Sequence, residues 1–145
     1  MVGVDTNVLV YAHLTGAPEH PVAVKVIEDL AGGNEPWAIA IPSLYEFVRV
    51  MTHPGAVQVP YSSRKILNAL AVVCGLPNLV LLSHGPSHIE VASMLMARVE
   101  PIAGAAFDIQ IAAILLESGV RKLFTRDRIF EQLGLEVMDP FDGLG

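Results

Sequence analysis

Five short apolar runs, separated by segments whose apolar residues recur at helical spacing, constrain the fold of this chain most strongly. The runs predict strands and the segments predict helices. Strands that are buried on both faces and joined by helices form parallel sheets, because each crossover helix covers one face. The sequence therefore predicts an α/β fold, a three-layer α/β/α domain with a central parallel sheet of four to five strands.

The boundaries follow from the apolar pattern and from Gly and Pro residues. The predicted strands are 2–4, 37–41, 79–82, 122–125 and 135–138. The predicted helices are 18–30, 42–51, 62–73, 87–98, 105–118 and 129–133. Residues 8–11 are also apolar and follow the first strand after a polar interruption. No repeat or linker divides the chain, so we expect residues 1–145 to form one domain.

Composition bears on the cellular location. The longest apolar stretch, residues 66–82, is broken by Gly-Leu-Pro-Asn at 75–78, which indicates a helix end and a turn rather than a membrane span. No Lys or Arg precedes Lys25, so the N-terminus lacks the charged start of a signal peptide. The single cysteine, Cys74, cannot form an internal disulfide, and its apolar neighbours predict a core position. We therefore expect a cytoplasmic protein without a membrane segment.

The net charge of −6 counts mildly against nucleic acid as a partner, because many nucleic-acid-binding domains are basic. The objection is limited, since a metal-dependent nuclease concentrates carboxylates at its site and recovers charge by binding cations. The positions of the acidic residues are therefore more informative than their number.

Four carboxylates fall at related places in the predicted layout. Asp5 lies where the first strand ends, Glu46 in the first turn of the helix after the second strand, and Asp127 just past the fourth strand. In an open parallel sheet, strand carboxyl ends and the helix starts that follow them share one edge, where ligand crevices form. Asp108, in the first turn of the long helix, joins them if that helix begins at the same edge.

Carboxylates gathered at one edge repel each other unless a cation neutralises them. Mg²⁺ suits such a site because it prefers oxygen ligands and keeps several waters. A metal of this kind can generate hydroxide from water and polarise a phosphodiester, which predicts phosphodiester hydrolysis. The five histidines show no zinc spacing, and no Cys-x-x-Cys pair exists in a chain with one cysteine.

Four segments carry a resemblance to a known family. They are DTNVLVYA at 5–12, PSLYEFVRV at 42–50, FDIQIAA at 107–113 and LFTRD at 123–127. In this order and at these distances they resemble the motifs of PIN-domain ribonucleases, and in particular of VapC toxins from VapBC toxin–antitoxin pairs. The resemblance covers essentially the whole chain and implies a PIN-like fold.

The resemblance also implies a function, an endoribonuclease with Mg²⁺ or Mn²⁺ at the acidic cluster. The implied catalytic and metal-binding residues are Asp5, Glu46, Asp108 and Asp127. The supporting candidates are Thr6, Asn7, Thr125 and Arg126. The implied partners are an RNA substrate, a second copy in a homodimer, and a VapB-type antitoxin whose C-terminal tail lies across the active-site groove. Cleavage is expected to leave a 5′-phosphate and a 3′-hydroxyl.

Each acid also has a purely structural interpretation. Ser43-x-x-Glu46 matches a capping box, in which the glutamate reaches back to the N-cap backbone. Asp108 is favoured near a helix start by the helix dipole, and Asp127 could initiate the turn that follows it. Residues 5–7 could cap a helix or a turn. Their joint placement favours the functional interpretation.

Three further residues have open roles. Arg126 could contact phosphate or be a solvated turn residue, and Arg49 could pair with Glu46 three residues earlier on the helix or contact RNA. Phe107 stands where the family often has a smaller or polar residue, so that it either narrows the groove or packs.

Two other function classes are weighed against the ribonuclease. Haloacid-dehalogenase-like phosphatases open with Asp-x-Asp, but here the third position is Asn7 and no catalytic Lys follows at the expected place. A non-catalytic PIN-like binding module is the second alternative, although all four acids are present. Cleavage of flap DNA by the same chemistry is a smaller possibility.

Overall fold

The computed structural model describes residues 1–144 and contains one five-stranded sheet in the order β3-β2-β1-β4-β5. All four strand pairs are parallel. The strands are β1 (Val2–Val4), β2 (Trp37–Ala40), β3 (Leu79–Leu82), β4 (Lys122–Phe124) and β5 (Glu136–Met138). The predicted α/β/α fold with a parallel sheet is confirmed, and the number of strands is five.

Seven α-helices connect and cover these strands. They are α1 (Thr6–Tyr11), α2 (His20–Gly32), α3 (Ile41–Met51), α4 (Ser63–Cys74), α5 (His88–Met96), α6 (Ala106–Glu117) and α7 (Ile129–Gln132). A short 3-10 helix, Ala103–Ala105, precedes α6. None of the helices in residues 1–144 has the length and apolarity that a membrane crossing requires. The predicted helices and strands have the observed bounds to within two residues, apart from α1.

Helix α1 is the element that the apolar pattern did not identify. Its β-branched residues Val8 and Val10 favour strands when considered alone. In the structure, a helix that starts directly after β1 buries Val8, Leu9 and Val10, and burial of this size outweighs a small local propensity. Asp5 therefore becomes the N-cap residue of α1 at the carboxyl end of β1.

The two faces of the sheet carry separate apolar clusters. Side chains alternate between the faces along β2, so Ala38 and Ala40 join one cluster while Trp37 and Ile39 join the other. Helices α5, α6 and α7 contribute to the first cluster, and α1 to α4 contribute to the second. The sheet therefore lies between two apolar layers, one on each face.

Two side chains at the ends of these elements test the core predictions. Trp37 is fully buried, and its indole N–H donates to the carbonyl oxygen of Pro77 at 2.9 Å. Cys74, in contrast, is exposed, so its predicted core position is wrong. It is the last residue of α4, and one step along a helix turns a side chain about 100° away from its buried neighbour Val73.

Candidate metal centre

The four predicted acids line a single cavity of about 380 Å³. Asp5 follows β1, Asp127 follows β4, and Glu46 lies on α3, which begins directly after β2. Helix α6 leads back to the start of β4 and so runs against the strand direction, which brings Asp108 near its N-terminus to the same edge. The structure therefore brings all four carboxylates to the carboxyl edge of the sheet.

Asp5 is the most firmly held of the four. It is only 5% exposed, and the hydroxyl of Thr125 donates to its Oδ2 at 2.8 Å. The amide of Asn7 donates to the same oxygen at 3.3 Å and to Oγ1 of Thr125 at 2.8 Å. The backbone N–H of Asp127 also donates to Thr125 Oγ1, at 3.0 Å. Asn7 and Thr125 thus fix the direction of the Asp5 carboxylate and tie β1 to the segment after β4.

Glu46 is held by a hydroxyl rather than by a capping box. The N-cap of α3 is Ala40, so Glu46 lies in the second turn and not in the predicted first turn. Ser43 is inside the helix, and its buried hydroxyl has no hydrogen-bond partner within residues 1–144. The hydroxyl of Thr6 instead donates to Glu46 Oε2 at 2.7 Å. The capping interpretation of Glu46 is therefore wrong.

Asp108 and Asp127 are held less tightly. Asp108 is half-buried in the first turn of α6, as predicted, and no donor in the described part of the chain reaches its carboxylate. Asp127 is exposed, and its Oδ1 accepts from the N–H of Ile129 at 3.1 Å, which starts α7. The turn-forming role expected for Asp127 is therefore present, and it occupies one carboxylate oxygen.

Burial and mutual repulsion raise two pKa values. Burial raises the pKa of Asp5 to about 6; hydrogen bonds from Thr6 N–H and Thr125 oppose this, and the charges of Glu46 and Asp127 add to it. The pKa of Asp108 rises to about 7, chiefly through burial and then through the charges of Asp127, Asp5 and Glu46. Shifts of this kind are typical of carboxylates that share a site without a counter-charge.

The donor set fits a hard divalent cation. Carboxylate oxygens are the ligands that Mg²⁺ prefers, and Mg²⁺ usually keeps several waters. Among residues 1–144, no three His, Cys, Asp or Glu side chains stand close enough together to enclose an ion by themselves. Glu46 and Asp127 accept hydrogen bonds from Thr6 and Ile129, so they would reach a cation by turning or through water. The arrangement thus suits a hydrated ion.

Arg126 has contacts that neither sequence interpretation included. Its Nη1 donates to the hydroxyl of Tyr11 at 2.8 Å, and its guanidinium lies over the rings of Tyr11 and Phe141 at 5.1 and 4.9 Å. It is also 3.9 Å from Glu19. Arg126 therefore joins the segment after β4 to α1, while its side chain remains 37% exposed in the bend that follows the strand.

Comparison with known proteins decides the family. The PIN domain family matches residues 2–135. The chain belongs to the PIN-domain family. Ribonuclease VapC43 of Mycobacterium tuberculosis is 31% identical over 144 residues, which cover 99% of this chain and 97% of that protein. This match places the chain among the VapC proteins and confirms the resemblance. The phosphatase alternative is thereby contradicted.

Solved structures agree with this PIN-domain fold. VapC20 of Mycobacterium tuberculosis, described as a sarcin-ricin loop cleaving toxin, superposes with a TM-score of 0.70 at 15% identity and covers 93% of this chain and 96% of its own. VapBC2 from Rickettsia felis, bound to a DNA fragment from its promoter, gives a TM-score of 0.66 at 17% identity, covering 95% and 98%. At these identities the likeness establishes the fold.

A groove beside the acid cavity is a feature of this PIN domain that the motifs did not reveal. It has a volume of about 690 Å³, and Tyr45, Phe107 and Arg49 are among the residues that line it. Arg49 forms no ion pair with Glu46 among the described residues, so of its two possible roles the pairing is not observed. Tyr45 was missed, although an aromatic residue directly before a site acid was a usable signal.

Proposed function

We propose that this VapC-family protein is a Mg²⁺- or Mn²⁺-dependent endoribonuclease and the toxin of a VapBC pair. The observation that carries the proposal is the convergence of Asp5, Glu46, Asp108 and Asp127 on one cavity. Burial, and then the neighbouring carboxylate charges, raise the pKa values of Asp5 and Asp108, which costs stability unless a cation compensates it. The names of the curated relatives, which are ribonucleases, support RNA as the substrate.

The four acids would have different roles in binding the cation. Asp5 and Asp108 would hold the cation directly, while Glu46 and Asp127 would complete its shell, in part through water. A bound divalent cation lowers the pKa of a coordinated water and polarises a phosphodiester. Thr125 and Asn7 both donate to Oδ2 of Asp5 and so orient its carboxylate before substrate arrives. Ligands oriented in this way need no reorganisation during the reaction.

The partners follow from the same family. The Rickettsia felis structure holds a toxin–antitoxin complex, which supports a VapB-type antitoxin as the inhibitor of this chain. A homodimer is also proposed, because α5 exposes large apolar side chains, such as Ile89 and Met94, that a second copy could cover. We further propose that residues 1–145 act as one PIN domain in the cytoplasm, where its RNA targets are found.

The decisive experiment varies the metal ion and one acidic residue, and measures RNA cleavage and cell growth. Purified protein is incubated with total RNA and Mg²⁺, Mn²⁺ or EDTA, alongside Asp108→Ala and the control Glu136→Gln, which lies at the opposite edge of the sheet. We expect cleavage only by wild type and the control, and only with metal. Expression should arrest growth, and Asp108→Ala should relieve the arrest. Full cleavage by Asp108→Ala, with an unchanged circular dichroism spectrum, would contradict the proposal.

A further inference from the structure

The exposed aromatic side chains are unusually placed. The chain has one Trp, three Tyr and five Phe residues, and all of them lie in the described part. Seven are buried or half-buried: Tyr11, Trp37, Phe47, Tyr61, Phe124, Phe130 and Phe141. Only Tyr45 and Phe107 are exposed, at 73% and 72%, and both line the groove beside the acid cavity.

Their position relative to the acids is equally specific. Tyr45 directly precedes Glu46 on α3, and Phe107 directly precedes Asp108 on α6. The two helices pack against each other, so each carries one acid toward the cavity and one ring toward the groove. Glu46 and Val50 line both spaces, which makes the groove continuous with the candidate metal centre.

We propose that this groove is a subsite for an unpaired RNA base next to the phosphate that is cut, with the base stacked on Tyr45 and Phe107. The inference rests on the proposed ribonuclease function and deepens it. Bases of single-stranded RNA stack on exposed aromatic rings, whereas bases in a duplex are already stacked and paired. The subsite would therefore select unpaired segments of RNA.

The polar residues of the groove suit a nucleotide better than an apolar peptide. His84 and Gln110 line the groove and are hydrogen-bonded to each other through their Nε2 atoms, which lie 2.9 Å apart. The amide oxygen and the second amide N–H of Gln110 can hydrogen-bond to a base edge. Arg49 lines the same groove and supplies a positive charge for the RNA backbone close to the acids. An apolar partner would offer no hydrogen-bond partner to the Arg49 guanidinium or to the amide oxygen of Gln110.

A binding measurement tests the stacking without cleavage. A short single-stranded RNA of mixed sequence carrying 2-aminopurine is titrated with protein in EDTA, since stacking on an aromatic ring quenches this fluorescent base. We expect quenching by wild type and by Tyr45→Phe, which keeps the ring. Phe107→Leu and Tyr45→Leu should each weaken binding by roughly 5- to 150-fold, the usual range for loss of one base–aromatic stack.

Steady-state cleavage provides the second readout. Loss of a stack that is present in both ground and transition states should raise KM by a similar factor and leave kcat nearly unchanged. Val72→Ala, an exposed apolar site on α4 that lies outside the groove, is the matched control and should behave as wild type. An RNA with an abasic site in place of the stacked base should lose affinity for wild type and lose less for Phe107→Leu, which retains only the Tyr45 ring.

The outcomes separate this inference from the proposed function. If wild type cleaves RNA but Phe107→Leu and Tyr45→Leu bind and cleave equally well, the subsite is refuted while the nuclease stands. If these variants change only the oligomeric state in sedimentation velocity, the groove is an interface between copies and the inference is again refuted. If wild type fails to cleave with any metal, the proposed function fails, and the EDTA titration still reports on stacking.

Discussion

Asp5 and Asp108 line the same cavity, but the protein holds them in opposite ways. Asp5 directly follows a strand, is almost completely buried, and receives hydrogen bonds from Thr125 and Asn7. Asp108 begins a helix, is half-buried, and receives no hydrogen bond to its carboxylate from residues 1–144. The less buried acid nevertheless has the higher pKa, about 7 against about 6.

The difference shows what hydrogen bonds contribute at this edge. Burial raises both pKa values, but donors from Thr6 and Thr125 stabilise the charged form of Asp5 and offset part of the cost. Asp108 has no such compensation and depends on an external positive charge. Asp5 therefore has its hydrogen bonds in place before any ligand binds, whereas Asp108 gains its partners only from the cation and substrate that bind.

The largest expected effect concerns the two acids themselves. Asp5→Asn and Asp108→Asn should each lower kcat/KM for RNA cleavage by about two to three orders of magnitude, because each removes a charged metal ligand. Glu46→Gln should cost less, since Glu46 is proposed to reach the ion in part through water. Initial rates of cleavage with Mg²⁺ check the order. If Glu46→Gln were as slow as Asp5→Asn, the proposal that Glu46 reaches the ion in part through water would be contradicted.

A smaller effect is expected for the residue that orients Asp5. Thr125→Val keeps the side-chain volume but removes the hydroxyl, and should weaken Mn²⁺ binding by about 10- to 100-fold, as for other residues that orient a metal ligand. Thr6→Val removes the donor to Glu46 and should weaken binding less. Isothermal titration with Mn²⁺ measures both. Equal losses in the two variants would mean that the hydrogen bond to Asp5 matters no more for metal binding than the one to Glu46.

The third prediction concerns stability: the Asp5→Asn change that lowers activity should make the metal-free protein more stable. The pKa of Asp5 is raised from 3.8 to about 6, so the folded state binds more protons, and metal-free stability falls as the pH rises through this interval. Above a pH of about 6, the free energy of unfolding of Asp5→Asn should therefore exceed that of wild type by about 1–3 kcal/mol. Near pH 3.8 the gain should vanish.

Urea unfolding in EDTA across this pH range is the measurement for the third prediction. Excess Mg²⁺ should stabilise wild type through binding to the folded state and remove the advantage of Asp5→Asn at neutral pH. If Asp5→Asn is the less stable protein in EDTA at neutral pH, the hydrogen bonds to Asp5 outweigh its burial, and the contrast with Asp108 is smaller than described.

The smallest effect is expected away from the metal ligands. Arg126→Met should lose the hydrogen bond to Tyr11 and the contacts with the Tyr11 and Phe141 rings, at a cost of about 1 kcal/mol in the free energy of unfolding. Cleavage should fall less than in Asp5→Asn. If Arg126→Met lost as much cleavage as Asp5→Asn without losing stability, Arg126 would contact the RNA phosphate rather than serve only in packing.

The strands, helices and positions of the acids could be predicted from local patterns. Apolar periodicity identified all the strands and every α-helix except α1, because burial on the faces of a sheet dictates which residues must be apolar. Helix α1 escaped, since Val8 and Val10 favour a strand and only packing against the core reverses that preference. The capping motif at Ser43 and Glu46 gave a wrong helix start, because α3 begins earlier, with Ala40 as its N-cap residue.

The sequence by itself determined that four acids follow the ends of strands or begin helices, since topology sends those positions to one edge of a parallel sheet. Only the tertiary structure decided how each is held: that Thr125 and Asn7 bond to Asp5, that Thr6 bonds to Glu46, and that Tyr45 and Phe107 share a groove. Apart from the bond between Asn7 and Asp5, which lie close together in the chain, these contacts join residues about 40 to 120 positions apart. Local patterns carry no information about such distant pairs.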